Sequence, residues 1–79
     1  MNIFDTPYNR IEYFVLKKNA SGEYLINSKN DILMQSYSDR SCWIKFVDEV
    51  MNKKSNTDRF VICSRAIGDK YIQILCERW

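Results

Sequence analysis

Histidine is absent from this 79-residue chain, proline occurs once and glycine twice. Without histidine, no side chain titrates unperturbed near neutral pH, and the commonest proton carrier of enzymes is missing. Two glycines cannot build a phosphate-cradling loop, and no G-x-x-x-x-G-K segment occurs. No serine sits in a G-x-S-x-G elbow. Cysteine is scarce and odd in number: Cys42, Cys63 and Cys76. No pair has C-x-x-C spacing, which with the lack of histidine excludes the ordinary zinc sites. An odd count also argues against a secreted disulfide scaffold and for a reducing cytoplasm. Each cysteine lies in an apolar setting and reads as a small buried hydrophobe with a free thiol. No apolar run approaches the roughly 18 residues of a membrane span. Residues 1–10 show neither the basic start nor the apolar core of a signal peptide. Charge of one sign is not in excess either: the net charge is +2, with acids set among the bases. A dedicated nucleic-acid binder usually clusters its Lys and Arg. These absences predict a protein that is not an enzyme and holds no cofactor or metal.

Apolar and aromatic residues are plentiful, at 46% and 14%, so the chain is not a disordered tail. The length allows one small domain. Residues 1–10, with the single Pro7, read as an irregular lead-in, and residues 11–79 as a single α+β domain. Ile11 to Lys18 is rich in β-branched and aromatic residues and predicts a strand. A turn at Asn19–Gly22 and a returning strand at Glu23–Asn27 follow. A second turn leads to a third extended segment, Ile32–Tyr37. Ser38 and Asp39 supply a helix N-cap and an acidic first turn. Trp43, Phe46, Val47, Val50 and Met51 then fall at i, i+3, i+4, i+7 and i+8, one stripe of a helix. Trp43 opens that stripe and reads as core, so Trp43→Ala is expected to cost about 3–5 kcal/mol. Glu49 and Lys53 are spaced as an i,i+4 ion pair. Arg59–Ala66 and Lys70–Glu77 read as two further strands joined by a two-residue turn at Gly68-Asp69. The predicted order is β-β-β-α-β-β, a small antiparallel sheet of about five strands with one helix.

The two-residue turn sets Val61 opposite Cys76, Cys63 opposite Ile74 and Arg65 opposite Ile72. That face is almost wholly apolar and buries Cys63 and Cys76. The opposite face carries Phe60, Ile62, Leu75, Tyr71 and Trp79, and is mixed. In the first hairpin both faces are again apolar, with Tyr13 and Val15 on one side and Phe14, Leu16 and Leu25 on the other. A one-sided antiparallel sheet alternates apolar with polar. A helix of about 13–15 residues is roughly 20 Å long and covers one face only. A second face of Phe14, Leu16, Leu25, Ile62, Tyr71 and Leu75 therefore needs other cover. The N-terminal segment with Ile3, Phe4 and Tyr8, a curling of the sheet, or a partner are the three alternatives.

The functional expectation is a protein-binding module whose partner is a larger host complex or a second copy, with no role for a membrane. Tyr, Trp and Arg are the usual anchors of such interfaces. Phe14, Leu16, Arg59, Ile62, Arg65, Tyr71, Leu75 and Trp79 are the expected contact residues. The alternative is a small nucleic-acid-binding domain. There Phe14, Phe60 and Tyr71 stack bases and Arg59, Arg65 and Lys70 meet phosphates. Ile, Asn, Lys, Tyr, Phe and Met far outnumber Gly, Ala, Arg and Pro, a bias that points to an A/T-rich source genome. In profile the chain resembles small phage-encoded proteins that bind and block host machinery, anti-CRISPR proteins and other defence antagonists among them. That resemblance implies an inhibitor working in the cytoplasm of the host cell.

Overall fold

The computed structural model describes residues 10–19, 32–69 and 71–78. They form an α+β domain with one helix and a four-stranded antiparallel sheet. The elements are β1 (Ile11–Asn19), β2 (Ile32–Ser36), α1 (Asp39–Met51), β3 (Asp58–Ala66) and β4 (Gln73–Arg78). The strand order is β2-β1-β3-β4. The expected strand at Glu23–Asn27 and the lead-in over residues 1–9 lie outside the described residues. The carbonyl of Arg10, just before β1, accepts from Ile67 N at 3.1 Å.

β1 and β3 form the centre of the sheet, pairing in register from Ile11↔Ala66 to Asn19↔Asp58. Residues paired across an antiparallel ladder share a face. Val15 and Ile62 therefore point to one side, while Phe14 with Cys63 and Leu16 with Val61 point to the other. The helix covers the first side. There Val15, Phe60 and Ile62 meet Cys42 and Phe46 of α1, with Tyr13, Leu33, Met34, Val50 and Cys76 packed around them. On the second side Phe14, Leu16, Val61 and Cys63 form a separate buried cluster, with Ile32 and Ile72 against it.

Three expectations about these faces are corrected. The first concerns register. Cys63↔Ile74 and Ser64↔Gln73 pair as expected, but the register shifts between Ile62 and Cys63, and Ile62 then pairs with Cys76. Leu75 is the extra residue, a β-bulge. Val61 consequently faces Glu77, and half-buried Cys76 joins the helix side instead of the Val61 side. The second concerns the turn. Asp69 N donates to Ala66 O at 3.0 Å, which centres the turn on Ile67 and Gly68. Gly68 has φ 87°, a value that costs glycine nothing for want of a Cβ. The third concerns Ile62, which lies under the helix and not with Phe14 and Leu16.

The helix begins as expected. Ser38 Oγ accepts from Ser41 N at 3.3 Å, an N-cap bond that satisfies one of the free amides of the first turn. Asp39 sits in that turn. The C-cap is Asn52, so Lys53 falls beyond the helix and the expected Glu49–Lys53 pair does not form. Glu49 instead meets Lys45 at 2.8 Å.

Candidate protein interface

Burial separates the expected contact residues into two groups. Phe14, Leu16 and Ile62 are fully buried within the chain, in its core. Phe60, the second aromatic of the nucleic-acid platform, is buried as well. Trp79 and Lys70 lie outside the described residues. Arg65 is committed to the fold: its Nε donates to Glu12 Oε2 at 3.1 Å, and its guanidinium lies 5.2 Å from the Phe14 ring centre. Glu12 is itself buried, and its other oxygen accepts from Gln35 Nε2 at 3.1 Å. Both carboxylate oxygens are thus satisfied, as burial of a charge requires.

Tyr71 and Leu75 are exposed around β4, and Arg59 is half-buried beside them. In the described sheet β4 is an outer strand. Tyr71, just before it, is 80% exposed and Leu75, at the bulge, 38%, with Ile74 exposed between Leu75 and the polar start of the strand. Arg59 reaches across from β3 to pair with Glu77. The arrangement is a row of large apolar side chains along an outer strand, with a bound ion pair at its far end. Outer strands offer unpaired backbone groups to another chain, and apolar side chains there strengthen the offer.

Trp43, Val47 and Met51 of the expected core stripe are not in the core; with Ile44 they form a second apolar surface. Of the helical stripe, Phe46 is buried and Val50 half-buried, and Cys42 supplies the other fully buried contact. Trp43 is 37% exposed, Ile44 61% and Met51 78%, with Val47 exposed between them. Trp43, Ile44, Val47, Asp48 and Met51 line a shallow groove of about 470 Å³. Trp43 packs edge-on against Phe46, at 5.8 Å between ring centres. The apolar arc of α1 is therefore wider than the sheet contact beneath it. The signal was legible: Ile44 lies far from the Phe46–Val50 line, and an arc holding both cannot bury all its members against one sheet.

Among the described residues no group of three or more Cys, Asp or Glu gathers in metal-binding geometry. The three cysteines are free thiols. Burial raises the Cys42 thiol above its usual range and pushes Cys63 up to about 11, the opposite of what a nucleophile needs. No described helix is long and apolar enough to cross a membrane. No protein-family model, curated protein or solved structure matches the chain.

Proposed function

We propose that the chain is a non-enzymatic protein-binding module, an inhibitor or modulator of a larger host complex of the kind small phage and mobile-element proteins supply. On this reading it works in the cytoplasm of the host cell and binds through the β4 side of the sheet. The observation that carries the proposal is the exposure of Tyr71, Ile74 and Leu75 along an outer strand. A chain of 79 residues has little apolar surface to spare for solvent, and an outer strand of the described sheet that carries exposed apolar side chains fits addition of a partner strand or loop. Arg59 and Glu77 form the polar rim. The nucleic-acid alternative draws no such support, because Phe14 and Phe60 are buried and Arg65 is engaged by Glu12.

Affinity capture from a host lysate, followed by mass spectrometry, tests the proposal. A discrete protein partner is expected, retained after nuclease treatment and after a wash at about 1 M salt, where the Debye length is about 3 Å. Recovery of nucleic acid alone, or of proteins lost on nuclease treatment, contradicts it.

A further inference from the structure

We infer that the outer face of α1 is a self-association surface, on which two copies of this chain pair their helices antiparallel about a two-fold axis. Arg40, Ile44, Val47 and Met51 are spaced 4, 3 and 4 residues apart, the rhythm of a helix–helix seam. Ile44, Val47 and Met51 are exposed along that seam, with Trp43 beside it. The charges choose the occupant. Arg40 closes the seam at the N-terminal end, and its guanidinium has no hydrogen-bond or ion-pair partner among the described residues. Asp48 lines the groove at the other end. Among the described residues its Oδ1 accepts a hydrogen bond from Asn52 of the next turn, at 2.9 Å, and its charge also acts on Lys45 one turn before.

In an isologous pair, residue i of one copy meets residue j of the other and j meets i. An antiparallel crossing near Ile44 and Val47 sets those two side chains against their counterparts. The same crossing brings each Arg40 within side-chain reach of Asp48 of the second copy, twice over. A parallel pair sets Arg40 against Arg40 and Asp48 against Asp48, which like charges disfavour. The surface is thus complementary to itself in one orientation only. Contact between two single helix flanks is smaller than the roughly 800 Å² per partner of a standard interface. The dimer is accordingly weak, with dissociation in the micromolar range or above.

Sedimentation velocity from about 5 to about 500 µM tests the inference. The wild-type chain should pass from monomer toward dimer over that range. Ile44→Asp, at an exposed position, should stay monomeric with an unchanged melting temperature. Arg40→Asp and Asp48→Arg should each weaken the dimer by about tenfold or more, and the double exchange should restore it. A wild-type monomer throughout overturns the inference, and so does a dimer that survives Ile44→Asp. Failure of the double exchange to recover association overturns the antiparallel arrangement. The β4 proposal stands apart from each of these outcomes, because none of the variants touches that strand.

Discussion

Replacing Arg65 with Ala leaves the Glu12 carboxylate buried with Gln35 as its one hydrogen-bond partner among the described residues. A buried group stripped of a charged bond loses about 1–3 kcal/mol, so Arg65→Ala should lower stability by that amount in a denaturant titration. The result would mark Arg65 as a fold residue and not a contact. Trp43 and Phe46 separate in the opposite way. Phe46 is buried and Trp43 partly exposed, so Phe46→Ala should cost about 3–5 kcal/mol, close to the whole stability of a small domain. Trp43→Ala loses the edge-on contact, worth about 0.5–1.5 kcal/mol beyond area, and should remain folded. Cys63 adds a pH dependence. Its folded thiol is pushed from 9.0 up to about 11 by burial, so the folded state holds this proton more tightly than the unfolded chain. Its contribution is complete below pH 9 and is lost as pH rises toward 11. Denaturation midpoints should fall over that window, and Cys63→Ala should flatten part of the fall.

Elements were legible where one local signal dominates, and not where two distant segments must agree. The start of α1 follows from Ser38 alone, whose hydroxyl caps Ser41 N. Ser38→Ala should cost about 1 kcal/mol, seen as a lower melting temperature with unchanged helix content in the cold. β1 and β3 follow from their β-branched and aromatic runs. Their mutual register does not, because no turn joins them: Phe14↔Cys63 and Val15↔Ile62 are set by tertiary packing. Phe14 and Leu16 were therefore grouped with Ile62, Tyr71 and Leu75 by alternation within each hairpin, a grouping that only the β1–β3 register could correct. The bulge at Leu75 escaped for a related reason. One extra residue reverses the faces beyond it, and nothing in the run from Gln73 to Arg78 marks where it falls. Spacing also made one stripe of the helix where there are two. Cys42 belongs to the buried one, and Ile44 and Met51 to the exposed one.

Among the described residues, the outer flank of α1 and the β4 side of the sheet both leave large apolar side chains in the open. They lie on different elements and suit different occupants. The helix flank carries opposite charges at its two ends, so it matches itself. The β4 side carries exposed apolar side chains and the Arg59–Glu77 ion pair, and an extended apolar segment of another protein is its proposed occupant. Together the two proposals describe a two-fold assembly with a binding strand on each copy. Linking two weak contacts raises overall avidity by about 100-fold or more where both can engage at once. The claim that β4 is the working surface is tested most directly by one paired measurement on Leu75→Asp, capture of the host partner together with a circular dichroism melt. The account predicts an unchanged melt, because an exposed charge is solvated at little cost, and loss of the partner. A partner still captured at wild-type yield by a folded Leu75→Asp chain would contradict it.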